Sequence, residues 1–181
     1  MQRFIFSIAT FLFTSLALAG SSYQIDLIVF AHPQNASGLS QDAPLIPVAK
    51  SAIALKTSAT SAANSYQLLK PSLSSLSDEY YLLNKRSRFQ VLAHYSWRQP
   101  AGSQSSVALP ATAIKGWQMQ GTVRVRQSNY YLLDSELQFA PTNAPETSFT
   151  VSQKQRLKPN VVYYLDHPQI GMIVKVHKIA V

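Results

Sequence analysis

The stretch YQIDLIVFAH alternates Tyr23, Ile25, Leu27 and Val29 with Gln24, Asp26, Ile28 and Phe30. A period of two predicts a strand, here buried in part on both faces towards its end. The same period returns in RFQVLAHYSW, which sends Phe89, Val91, Ala93, Tyr95 and Trp97 to one face and Gln90, Leu92, His94 and Ser96 to the other, before Gln99-Pro100 ends it. WQMQGTVRVRQSNYYLLDSELQF predicts a hairpin, its turn at Gln127-Ser128-Asn129 dividing a strand with Val123 and Val125 from one with Leu133, Leu137 and Phe139. Keeping those apolar sets on one face fixes a register that also brings Arg124 beside Asp134 on the other. TSFTVSQKQRLK places Phe149, Val151 and Leu157 on one side and Ser152, Lys154, Arg156 and Lys158 on the other; Pro159-Asn160 makes a turn, and VVYYL and GMIVKVHKI close the chain.

Only one segment changes period. Leu73, Leu76, Tyr80 and Leu83 fall at helical spacing, and Ser75 stands three residues before Asp78 in the manner of a capping box, so one amphipathic helix is expected from about Leu76 to Lys85. YQLLKP before it is a short extended piece that Pro71 ends. Residues 33–65 are rich in Ala, Ser, Gln, Asn and Pro without a sustained period, which predicts a long irregular segment. Around six strands and one helix make an α+β single domain built mostly of antiparallel β-sheet.

Composition narrows this further. The chain has 181 residues, 46% of them hydrophobic, enough for one domain with a real core. Met1-Gln2-Arg3, the apolar run Phe4 to Leu18 and the small-x-small Ala17-Leu18-Ala19 predict a signal peptide over residues 1–19, leaving residues 20–181 as the exported domain. The apolar run is shorter than the ~20 residues of a spanning helix, which favours cleavage over an anchor. With no cysteine there is neither a disulfide nor thiolate chemistry, and the fold must hold by packing. Sixteen Lys and Arg stand against eight Asp and Glu, a formal charge of +8, and the leader holds only one of those cations, Arg3. Such a balance favours anionic partners: carboxylate-bearing cell wall or phosphate-bearing lipid for an exported protein, whereas nucleic acid, which charge alone would allow, is disfavoured by the export signal.

Catalytic signals are thin. His32, His94, His167 and His177 lack the paired spacing that holds zinc, so no metal and no cofactor is expected. Asp166 and His167 are adjacent, which is poor geometry for an orienter and its base, and no Ser in a nucleophile elbow accompanies them. The pattern instead predicts a structural turn in which Asp166 accepts backbone N–H groups, Pro168 fixes φ and Gly171 permits a tight return. Asp26, Asp78, Glu79, Asp134 and Glu136 isolate no catalytic pair. The sequence predicts no enzyme.

Four stretches in order, YQIDLIVFAH, RFQVLAHYSWRQP, GTVRVRQSNYYLLDSEL and YYLDHPQIGMIVKV, resemble the CsiV family of peptidoglycan-binding proteins from Gram-negative bacteria. The most specific pieces are Leu92-x-His94-x-x-Trp97-x-Gln99-Pro100 and Asp166-His167-Pro168-x-x-Gly171; residues 33–65 match no family feature. The resemblance implies a non-catalytic periplasmic protein that binds peptidoglycan and supports envelope integrity. Peptidoglycan offers sugar faces to aromatic rings and stem-peptide carboxylates to Arg and Lys. The candidate contacts are therefore the row Lys154, Arg156 and Lys158, the pair Arg124 and Arg126, and the aromatics Trp97, Trp117, Tyr130 and Tyr131. For any single residue the alternative is a solvated or solubilising charge on a strand. Two other readings stay open: a periplasmic adaptor that binds other envelope proteins through a sheet edge, and an outer-membrane barrel, which six short strands and a helix disfavour.

Overall fold

The computed structural model describes residues 21–33, 45–55, 57, 65–85 and 88–179. The expected signal peptide, and residues 34–44, 56 and 58–64 of the expected irregular segment, lie outside them.

Eleven strands and one α-helix are present among the described residues: β1 Ser22–Ala31, β2 Ile53–Ala54, β3 Gln67–Leu69, α1 Ser77–Lys85, β4 Gln90–Pro100, β5 Val107–Ala108, β6 Thr112–Ile114, β7 Trp117–Gln127, β8 Tyr131–Pro141, β9 Phe149–Leu157, β10 Val162–Leu165 and β11 Ile170–Ile179. The six long ones are those the period-two pattern predicts. Of the five short ones, β3 and β10 fall in the YQLLKP and VVYYL pieces read as extended, whereas β2, β5 and β6, of two or three residues, carry too few alternations to show in sequence. They form two sheets rather than one, ordered β10-β11-β1-β4-β3 and β2-β5-β7-β8-β9, with β6 also beside β7. Pairing is antiparallel throughout except between β2 and β5. Thus the described part of the Ala/Ser-rich segment holds one strand.

The sheets stack through a shared core. Tyr23, Ile25, Leu27 and Val29 of β1, Trp97 of β4 and Met172, Val174 and Val176 of β11 pack against Val123 and Val125 of β7, Leu137 and Phe139 of β8 and Val151 of β9. A polar link crosses this interior: the Tyr23 hydroxyl donates to the Val125 carbonyl at 2.8 Å, and the Gln99 amide donates to the same carbonyl at 2.9 Å and to the Tyr23 hydroxyl. Buried polar groups are tolerated only when paired in this way. Burial pushes the Tyr23 phenol well above its usual range.

The alternation read along β4 breaks at one point. Val29 pairs with Ala93 but Phe30 pairs with Val91, so Leu92 is an extra residue opposite no partner, a β-bulge. One inserted residue reverses the facing of all that precede it. Leu92 joins Ala93, Tyr95 and Trp97 in the inter-sheet core, whereas Val91 and Phe89 turn to the outer face of the first sheet and meet Ile28, Phe30 and Leu76 under the helix.

The helix begins where expected but is anchored differently. Ser75 does not cap it through Asp78. Its Oγ and backbone N–H both donate to the Asp26 carboxylate at 2.6 and 3.0 Å, and the Leu76 N–H is met by Ser74 Oγ at 3.1 Å. Asp26 is fully buried and also accepts from Ser96 Oγ at 2.6 Å and Gln24 Nε2 at 2.9 Å. A buried carboxylate recruits every donor in reach, which outweighs a local capping box. Asp78 and Glu79 in the first turn and Lys85 in the last suit the helix dipole, and the Lys85 ammonium lies 4.2 Å from the Tyr81 ring centre.

The Asp166-Gly171 motif joins β10 to β11, as a connection should, but its chemistry differs from the expected turn. The Asp166 carboxylate, on a 69% exposed side chain, faces side chains: the Tyr164 hydroxyl donates to it at 2.6 Å and His32 Nε2 lies 3.4 Å away. His167 Nδ1 takes the Gln169 N–H at 3.3 Å. Gly171 stands inside β11, opposite Phe30, where its missing side chain makes room for a ring.

Candidate functional site

Strands β7, β8 and β9 pair without interruption, so their outward positions line up in rows. Arg126 pairs with Leu132 and Leu132 with Arg156; Arg124 pairs with Asp134 and Asp134 with Lys154. Inward neighbours Val125, Leu133 and Leu157 are buried, which leaves these alternate side chains outside. The two rows, with Leu132 between Arg126 and Arg156, line a shallow depression of about 350 Å³.

Four cations and one carboxylate meet there. Arg124 Nη2 and Asp134 Oδ2 form a 2.6 Å ion pair, the pair the hairpin register predicts, with side chains 37% and 26% exposed. Arg126, Lys154 and Arg156 form no ion pair among the described residues. The Arg156 guanidinium sits 4.6 Å from the Tyr130 ring centre, which orients it while its donors stay open. The Nε atoms of Arg124 and Arg126 are shielded from water and have no hydrogen-bond partner. Arginine forks held in this way suit planar carboxylates better than a point charge does.

The other sequence candidates separate from this face. Trp97 is fully buried between the sheets, its indole N–H donating to Gln99 Oε1 at 3.1 Å, and offers no ring face to a ligand. The alternation sets it on the apolar face beside Ala93 and Tyr95, and only its ring type makes it a candidate for a sugar face. Tyr131 is likewise buried, 5.1 Å from Tyr23 ring to ring. Trp117 lies half-buried at the far end of β7, edge-on to Phe149 at 5.9 Å. Lys158 falls just past the end of β9, its N–H bonded to the Tyr163 hydroxyl, and does not line the depression.

Two contributors went unread in the sequence. Gln120 and Gln138 pair further along the same strands and hold the segment 45–49 over the sheet: Gln120 Nε2 donates to the Ile46 carbonyl at 2.7 Å and the Ile46 N–H donates to Gln138 Oε1 at 2.9 Å. Their outward register on the hairpin was readable, but not the strap they would catch. Gly121, at φ 148°, brings β7 so close to β8 that a Cβ would fall 2.2 Å from the Glu136 carbonyl oxygen.

Among the described residues no three His, Cys, Asp or Glu side chains group as a metal site would, and no helix is long and apolar enough to cross a membrane. His94 stacks on Tyr80 at 4.7 Å, and burial lowers its pKa against the raising influence of Asp26.

By fold and surface this is a two-sheet β-sandwich with a cationic depression on one outer face. The model of a family described as peptidoglycan-binding protein, CsiV, matches residues 4–179, nearly the whole length, and the chain belongs to the CsiV family. No curated protein and no solved structure matches it.

Proposed function

We propose that this chain is an exported, non-catalytic periplasmic protein that binds peptidoglycan through the β7-β8-β9 face and so supports envelope integrity. The observation that carries the reading is the convergence of Arg124, Arg126, Lys154 and Arg156 around Leu132, with a single carboxylate to offset them. Stem-peptide carboxylates would pair with the open guanidinium and ammonium donors, while Leu132 and the Tyr130 ring give apolar surface to the peptide or sugar beside them. Export is supported by the apolar run Phe4 to Leu18 before Ala17-Leu18-Ala19, and wall binding by the family's description.

Co-sedimentation of the purified protein with isolated sacculi, at low and high salt, tests this. Binding that weakens as salt rises is expected of exposed ion pairs. Absence of binding, or binding that salt leaves unchanged, contradicts it. A second reading, an adaptor for envelope proteins, is favoured by one observation: Tyr81 and Leu82 of α1 and the nearby Leu73 are more than half exposed. Salt-insensitive capture of an envelope protein, lost in Leu82→Ser, would support the adaptor instead.

A further inference from the structure

The rows of the outer face continue past the four cations. Beside the Arg124-Asp134-Lys154 row comes Thr122-Glu136-Ser152, and a second concavity adjoins the first there: Arg124 and Asp134 line both the cationic depression and the polar one that Glu136, Thr122 and Ser106 complete. Beyond Glu136 the strap at 46–49 closes the groove. Glu136 is exposed to this groove and forms no ion pair among the described residues, whereas Asp134 is already held by Arg124.

Successive rows on one face lie about 7 Å apart. A free carboxylate therefore stands one row from Lys154 and Arg124 and two rows from Arg126 and Arg156. We propose that the groove takes a zwitterion: a stem-peptide diamino acid whose carboxylates pair with the cationic rows while its free ammonium group pairs with Glu136. This rests on the peptidoglycan reading above and deepens it, because a ligand with an unreacted amine marks a stem peptide that is not cross-linked through that amine. Were Glu136 merely a solubilising charge, it would repel the stem carboxylates, and its removal would tighten binding.

The two accounts differ in sign. Sacculi are compared before and after N-acetylation of their free amines, with the parent protein and with Glu136→Gln, an outward-facing change checked by matching thermal melts. Acetylation leaves the wall more anionic, so a plain cationic surface would bind it more tightly. The zwitterion site predicts the reverse: parent binding weakens about 1.5- to 5-fold, the range of one exposed ion pair. Glu136→Gln weakens binding to untreated sacculi by a similar factor and causes no further loss on acetylated ones. Unchanged or tighter binding after acetylation overturns the proposal, as does a Glu136→Gln loss of equal size on both preparations. If the parent fails to bind untreated sacculi, the peptidoglycan reading falls and the proposal with it.

Discussion

Gly171 pairs with Phe30 across β11 and β1, and a Cβ on Gly171 would come within 2.3 Å of the Phe30 ring. That ring is 3% exposed and lies between Tyr164, stacked at 6.2 Å, and Phe89, edge-on at 5.3 Å, so it has little freedom to withdraw. Overpacking a site of this kind costs about 1–3 kcal/mol. Gly171→Ala should lower the unfolding free energy by that amount in urea titration. Asp166→Ala, at an exposed side chain, should lower it by less than about 1 kcal/mol. Equal stability of Gly171→Ala and the parent would show that the glycine serves something other than room for the ring.

Asp26 is the fold's most heavily bonded side chain among the described residues, with donors from Ser75, Ser96 and Gln24 converging on a carboxylate with no exposed surface. Asp26→Ala leaves several buried donors unmatched, each costing about 1–3 kcal/mol. A loss of at least ~2 kcal/mol is expected, with amide exchange at the start of α1 accelerating more than exchange in β8. Uniform acceleration across both sheets would refute the anchoring role.

Stability should also respond to mildly acidic pH. Burial lowers the pKa of His94, opposed by Asp26, and burial lowers that of His167, opposed by Asp166 and reinforced by His32. Each has an ordinary value of 6.5, so below that pH the unfolded chain binds protons that the folded chain resists. Their contribution is present above 6.5 and is lost as pH falls through the lowered folded values. Urea midpoints should therefore drop between pH 7.5 and pH 5, and drop less in a His94→Gln, His167→Gln double variant. The same slope in parent and variant would assign the effect to other groups.

Much of the frame was legible because long strands repeat their signal. Alternation through Val123 and Val125 in β7 and through Leu133, Leu137 and Phe139 in β8 located the hairpin, and its register placed Arg124 against Asp134. Alternation sets Trp97 on the apolar face with Ala93 and Tyr95, where it fills the core; its candidacy as a sugar contact rests on ring type alone, which carries no information on exposure. The Leu92 bulge was hidden because Val91, Leu92 and Ala93 are all apolar, so an extra residue leaves no break in the pattern. The Ser75-x-x-Asp78 signature looked sufficient locally, yet the acceptor that claims Ser75 lies 49 residues earlier in the chain. Long-range partners of this kind, like the strap caught by Gln120 and Gln138, leave no mark at short spacing.

The central claim is that the β7-β8-β9 face, and not the aromatic end of the sandwich, holds the wall. The most direct measurement is sacculus binding by an Arg126→Gln, Lys154→Gln, Arg156→Gln variant beside Trp117→Ala, each matched to the parent by circular dichroism. Three exposed ion pairs, at about 0.2–1 kcal/mol each, predict a combined loss of about 3- to 150-fold for the triple variant, with a reduced dependence on salt. Trp117→Ala, at the opposite end of β7 and outside the cationic depression, should bind like the parent. A folded triple variant that binds like the parent with the same salt dependence, or a Trp117→Ala variant that loses binding while the triple variant keeps it, would contradict the account.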